Sequence, residues 1–170
     1  MRVKIKKLHP DAVIPFKKHN SDFCYDLTCI SVEEIATNTY KYGFGLAFQI
    51  DMSKELNLWG LHEDNVRGDY TELITMPSRL KINLSIDGRP RSSVYKHGMM
   101  LTNAVATIDK GYINEVSAIF WHYNTDLPRY EIGDRILQIK IGITFPIEFE
   151  EVDELSETDR GMGGYGSTGK

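Results

Sequence analysis

Long apolar runs, paired cysteines and metal-ligand spacings are missing from this 170-residue sequence. No apolar stretch approaches the length of a membrane span, and the opening MRVKIKK lacks the apolar core of a signal peptide. A soluble, cytoplasmic protein is therefore expected. The two cysteines, Cys24 and Cys29, have no second pair and no histidine at ligand spacing, so they read as reduced thiols. The five histidines form no HExxH or similar pattern, which argues against a dedicated zinc site. No GxSxG elbow is present, and no serine can be matched to a triad. A net charge of −4 argues against a nucleic-acid surface held by bulk electrostatics. A small polyanion would need a local cluster of arginines, backbone N–H groups or a metal ion.

Long helical patterns are also scarce, and no internal repeat is visible. What is there is a series of short strand-like runs. Residues 2–7 alternate, with Val3 and Ile5 against lysines. Further runs cover 25–30, 39–50 (Phe44, Leu46, Phe48 and Ile50 on one face) and 79–86 (Leu80, Ile82, Leu84 and Ile86). Residues 99–108, 113–121 and 135–141 complete the set, with Pro128 and Gly133-Asp134 as punctuation. Many short strands with few helices predict an all-β barrel or sandwich. The length suits one domain, residues 1–150, with a sizeable core.

Two stretches depart from that pattern. Residues 52–78 are long and polar with only a weak helical period over 53–61, the mark of an insertion or functional loop. From Glu148 an acidic run leads into RGMGGYGSTGK, a composition too poor in apolar surface to order itself, so residues 151–170 are expected to form a flexible arm.

Chemistry concentrates at four places. In NAVATIDKGYINE (103–115), Asp109 and Tyr112 flank an Asp-Lys-Gly turn where a strand meets a loop. A carboxylate and a ring so placed could hold a water beside a ligand, although an aspartate before glycine is most often only a turn residue. Pro90-Arg91-Ser92-Ser93 gathers guanidinium and hydroxyl donors at a turn, and a structural turn explains it equally well. In GDRILQ (133–138) the charged pair suits an interface, while Gln138 can offer an amide to a phosphate. The tail contains a literal GxGxxG at 161–166, but no strand precedes it and no helix can follow it, so the dinucleotide reading fails. Its glycine N–H groups, Arg160, Ser167, Thr168 and the flat ring of Tyr165 still suit a tail folding over a nucleotide.

Taken in order, these pieces resemble the five motifs of the trimeric dUTPase family. CYDL (24–27) matches the first, PRSS with KHG (90–93, 96–98) the second, and TIDKGYINEV (107–116) the third. GDRILQ (133–138) matches the fourth and RGMGGYGST (160–168) the fifth, so the resemblance covers nearly the whole chain outside 52–78. It implies a jelly-roll-like β-barrel whose C-terminal arm closes over an active site shared by three chains. It also implies hydrolysis of dUTP to dUMP and pyrophosphate by water attack on the α-phosphorus, with Mg²⁺ held mainly by substrate phosphates. That activity keeps uracil out of DNA and supplies dUMP for thymidylate synthesis, in a cell or, for a virus-encoded enzyme, in host cytoplasm.

Residue by residue, the resemblance makes Asp109 the water-orienting group and Tyr112 the ring that excludes a 2′-hydroxyl. Asn103 would contact uracil beside the strand backbone of Thr107 and Ile108. Arg91, Ser92 and Ser93 would bind phosphate, as would Gln138, and Arg160 would hold the terminal phosphate. Tyr165 would stack over uracil, with Gly166 and Ser167 beside it. There are departures: Phe23 and Cys24 stand where the family has Ala-Gly, and Asn114 replaces a glycine, which suits a positive φ. Residues 52–78 have no obvious family counterpart and read as padding at a subunit contact or as a partner-binding surface. Two rivals share the fold. A dCTP deaminase needs a glutamate about ten residues beyond the aspartate, where this chain has Ile119. A non-catalytic nucleotide-binding regulator would not need Asp109.

Overall fold

The computed structural model describes residues 2–51, 83–159, 161 and 163. Within them lie β1 (Arg2–Lys7), β2 (Tyr25–Thr28), β3 (Ser31–Ala36), β4 (Thr39–Gly43) and β5 (Leu46–Asp51). After residues 52–82 come β6 (Asn83–Pro90), a 3-10 helix (Ser92–His97), β7 (Met99–Leu101), β8 (Ala106–Ile108), β9 (Ser117–His122) and β10 (Arg135–Thr144). All pairings are antiparallel, in sheets ordered β2-β10-β6-β8 and β3-β4-β9-β7, with β1-β5 as a separate pair. Buried side chains from every sheet share one core cluster, including Leu27, Tyr42, Phe44, Phe48, Ile86, Phe120 and Leu137. This is the expected all-β, jelly-roll-like architecture.

Alternation explains most of the strands. On β6 the buried positions are Leu84, Ile86 and Gly88, and on β9 they are Ala118, Phe120 and His122. Buried His122 is satisfied by the Leu127 carbonyl, 3.0 Å from its Nε2. On β10 two successive residues, Ile136 and Leu137, are buried because a bulge between Arg135 and Leu137 shifts the register against β2.

Several runs differ from the expected bounds. The 39–50 run breaks into β4 and β5 at Phe44-Gly45, where Gly45 has φ 62° and a side chain would meet Ile30 Cδ1 at 2.5 Å. The 99–108 run breaks into β7 and β8, which belong to different sheets, so residues 102–105 cross between them. Strand 113–121 starts only at Ser117, strand 25–30 ends at Thr28, and 135–141 extends to Thr144. β3 and the 3-10 helix were not anticipated. The expected helical period at 53–61, the insertion 52–78, and Leu80 and Ile82 lie outside the described residues.

Candidate functional site

The phosphate-type turn sits at the end of β6 and is held from behind. Asp26 on β2, Gln138 on β10 and Arg89 on β6 lie side by side in register, which brings three separate stretches of sequence to one sheet end. Asp26, its side chain only 13% exposed, bridges two guanidiniums: Oδ1 lies 3.1 Å from Arg91 Nε, and Oδ2 lies 3.0 Å from Arg135 Nη1. The bulge at Arg135 turns that side chain toward β2, where its guanidinium also covers the Phe16 ring at 5.6 Å. Arg91 additionally donates to the Arg135 carbonyl at 3.4 Å. The 3-10 helix that carries Ser92 and Ser93 starts from the Arg91 carbonyl, which accepts the Val94 N–H at 3.0 Å. It ends at Gly98, with φ 55° and room for no side chain, since a Cβ would meet the Asn124 carbonyl oxygen at 2.6 Å.

In front of this turn lies a cavity of about 430 Å³ whose walls include Lys18, Asp26, Arg91, Ser92 and Gln138. Gln138 spends one amide hydrogen on the Pro90 carbonyl at 3.1 Å, which leaves its second hydrogen for a ligand. Beneath Ser93, the Tyr130 ring is buried and stacks on His97 at 4.0 Å between centroids. Burial raises the Tyr130 pKa, while Ser93 and Arg91 nearby partly oppose that rise.

The second group of candidate residues lies on the crossover from β7 through β8 to β9. Asn103 is exposed in the turn before β8, where Ala104 takes φ 51°. Thr107 and Ile108 belong to β8, the sheet's edge strand, and Asp109 follows directly. The turn closes through the Tyr112 N–H, which donates to the Asp109 carbonyl at 3.0 Å. The Asp109 carboxylate is exposed and makes no hydrogen bond or ion pair with the described residues. Tyr112, by contrast, is pinned: its hydroxyl donates to the Glu115 carbonyl at 2.7 Å, and the residue stays 44% exposed.

Glu115, which sequence reasoning left aside, ties this hairpin to the core. Its Oε1 accepts the Gly45 N–H at 2.8 Å, across the break between β4 and β5, and the Val116 N–H donates to the Leu46 carbonyl at 2.8 Å. Glu115 is thus a positioning residue for Tyr112. Asn114 departs from expectation. It is not among the positive-φ residues, and its side-chain oxygen accepts the Glu115 N–H at 2.8 Å. Its role is a local hydrogen bond, not left-handed backbone. Asp134 and Arg135 do not act as a pair either: Asp134 accepts the Glu131 N–H at 2.8 Å, while Arg135 turns to Asp26.

Within one chain the strand register holds Asp109 apart from Arg91. The β6–β8 register runs Gly88↔Ala106, Asp87↔Thr107, Ile86↔Ile108, and one further step sets Asp109 level with Ser85. Arg91 lies six positions along that line, roughly 20 Å away at ~3.3 Å per residue. Arg160, Tyr165, Gly166 and Ser167 lie outside the described residues. Among the described residues no three His, Cys, Asp or Glu side chains gather as metal ligands. Asp26 is already occupied by two arginines.

The cavity gathers lysine, arginine and serine side chains on an antiparallel β-framework, a donor set that suits a phosphorylated ligand. The dUTPase family model matches residues 68–169. The deoxyuridine 5'-triphosphate nucleotidohydrolase of Nautilia profundicola is 31% identical over the full length of both chains. That of Clostridium novyi is 32% identical over 99% of each. The chain belongs to the dUTPase family. Among solved structures, the Staphylococcus bacteriophage 80alpha dUTPase with dUpNHpp has a TM-score of 0.68 at 18% identity, covering 99% of both chains. A phage phi11 dUTPase described with a structural Mg(II) ion has a TM-score of 0.60 at 14% identity, covering 92% of this chain and all of that one. These last two likenesses speak for the fold.

Proposed function

We propose that this chain is a dUTP diphosphatase that hydrolyses dUTP to dUMP and pyrophosphate, with water attacking the α-phosphorus. The observation that carries this reading is the division of labour in the fold. A carboxylate without a partner among the described residues, beside a pinned ring, occupies one crossover, and an arginine-backed anion cavity occupies the far end of the same sheet. With roughly 20 Å between them along the strands, a site that uses both must combine chains, which supports a homotrimer with shared active sites.

Asp109 orients the water and accepts its proton as the bond to phosphorus forms. An aspartate is a weak base, so most of its effect is positioning. Tyr112, held by the Glu115 carbonyl, presents its ring to the sugar and leaves no room for a 2′-hydroxyl. Asn103 and the β8 backbone at Thr107 and Ile108 read uracil, where a wrong base would bury donor against donor. Arg91, Ser92, Ser93 and Gln138 bind the phosphates, and the tail residues Arg160, Tyr165, Gly166 and Ser167 close over the bound nucleotide. The donor set suits Mg²⁺, which keeps several waters and binds through substrate phosphates with at most one or two carboxylates. Asp109, which makes no hydrogen bond or ion pair with the described residues, would be available to orient the attacking water beside such an ion. The ion would neutralise phosphate charge when bound. Work in a reducing cytoplasm fits the two free thiols.

The test is one assay on dUTP, dCTP, dTTP and UTP, scored for both pyrophosphate and ammonia. Pyrophosphate should appear fast from dUTP and far more slowly from the others. Equal rates on UTP would remove the role given to Tyr112. Ammonia from dCTP would replace hydrolysis by deamination, although Ile119 lies on β9 between buried Ala118 and Phe120 and supplies no carboxylate.

A further inference from the structure

The loop ahead of β2 forms one wall of the anion cavity, and its own hydrogen bonds fix its shape. Phe16 bridges to Asp26, whose N–H donates to the Phe16 carbonyl at 2.9 Å. Lys17 Nζ donates to the carbonyls of Asn20 and Asp22 at 3.1 and 2.8 Å and lies 5.2 Å from the Tyr25 ring centre. The Asp22 carboxylate accepts the His19 N–H at 3.0 Å, and the Asp22 N–H returns to the His19 carbonyl at 3.0 Å. The loop is thus closed on itself before any ligand arrives.

These bonds sort the charges around the cavity. Lys17 is committed to carbonyls, Asp22 to a backbone N–H, and Arg91 shares Asp26 with Arg135. Lys18 also lines the cavity, together with Arg91 and Ser92 of the phosphate turn, and makes no hydrogen bond or ion pair with the described residues. A lysine is a mobile point charge on a four-carbon stem, suited to following phosphate oxygens that a fixed guanidinium does not reach. In a chain of net charge −4, such a cation on a preorganised loop needs a local reason.

We infer that Lys18 is a further substrate-binding residue, which grips the phosphate chain beyond the phosphate held at Arg91 and Ser92. It therefore makes affinity depend on the number of phosphates. The choice of nucleotide rests on the dUTP reading above, but the phosphate grip does not.

Calorimetric titration of the full chain and of Lys18→Ala with inorganic pyrophosphate, dUMP and a non-hydrolysable dUTP analogue tests this. The substitution should weaken pyrophosphate and the analogue about tenfold, as loss of one charge-assisted contact predicts, and dUMP less than twofold. With dUTP as substrate, KM should rise about tenfold while kcat changes less than twofold, and Lys18→Arg should recover most of the loss. Unchanged pyrophosphate affinity, or equal weakening of dUMP, would overturn the assignment. So would a Lys18→Arg chain as impaired as Lys18→Ala. If the unaltered chain failed to hydrolyse dUTP, the functional reading would fall, and the pyrophosphate titration would still decide the role of Lys18.

Discussion

Substituting Asp26 by Asn perturbs the anion cavity at its support while keeping side-chain volume. The carboxylate lies between two guanidiniums at 3.1 and 3.0 Å and is nearly buried, whereas the two arginines are about one-third exposed. Breaking a buried pair costs about 3–5 kcal/mol, because a charge is left behind without a partner. An exposed pair costs about 0–1 kcal/mol. The exposed arginines keep access to water, and the amide oxygen of Asn retains one acceptor. A loss of about 2 kcal/mol follows, near the middle of that range. For a domain of this size that is a melting shift of about 4–8 °C. Urea unfolding followed by tryptophan fluorescence, at a fixed protomer concentration because assembly adds to apparent stability, measures it. The double variant Asp26→Asn/Arg135→Gln supplies the control. If the carboxylate and Arg135 act as a unit, the two substitutions together cost less than the sum of each alone by about 1 kcal/mol or more. A loss under about 0.5 kcal/mol for Asp26→Asn, or strict additivity in the cycle, would refute the view that this ion pair braces the phosphate turn.

Cys29 gives a prediction in pH. Its thiol is fully buried, and desolvation pushes its pKa from 9.0 to about 11, with a backbone hydrogen bond at Ser31 only partly opposing this. The folded pKa is raised, so the contribution is fully present below pH 9 and is lost as pH climbs toward 11. The unaltered chain should therefore lose about 2–3 kcal/mol more than Cys29→Ala over that window, at ~1.36 kcal/mol per pKa unit; parallel pH profiles in urea would contradict the assignment. Deleting residues 158–170 should lower turnover strongly while leaving the melting temperature nearly unchanged, since residues 151–159 are exposed throughout. A truncated chain of undiminished activity would remove the closing arm from the mechanism.

How far the sequence announced this arrangement depends on the range of each interaction. β6 and β9 were legible because their buried residues alternate, and the Asp109 turn was legible because Asp-Lys-Gly encodes it locally. β3 was invisible because its face is mostly exposed and SVEEIA carries no apolar period. The 3-10 helix buries no residue, so it left no hydrophobic signature. The break at Phe44-Gly45 was hidden because apolar residues continue on both sides of it. In the site, the contacts that position the chemistry are non-local. Arg135 reaches Asp26 across 109 positions, and Glu115 reaches the Gly45 backbone across 70. A charged residue inside an otherwise apolar strand, such as Asp26 in CYDL, was the available signal for the first. A side chain whose partner is a backbone N–H elsewhere leaves none.

The separation of Asp109 from Arg91 has a consequence that neither residue's own loss would reveal. If each site takes its water-orienting carboxylate from one chain and its phosphate turn from another, an Asp109→Asn chain and an Arg91→Ala chain are defective at different halves. Alone, the first should lose at least about 10²-fold in turnover, the scale of a general base, and the second should lose phosphate binding. Mixed, unfolded and reassembled in equal amounts, the two should form mixed oligomers, trimers on the proposed reading, in which some sites pair an intact carboxylate with an intact turn. With random assortment each half is intact at half of its positions, so about a quarter of the sites regain both and activity returns to about a quarter of the unaltered level. Pyrophosphate release from dUTP by the reassembled mixture reads this directly. A mixture no more active than its parents would place both groups within one chain's site, against the strand register that holds them apart.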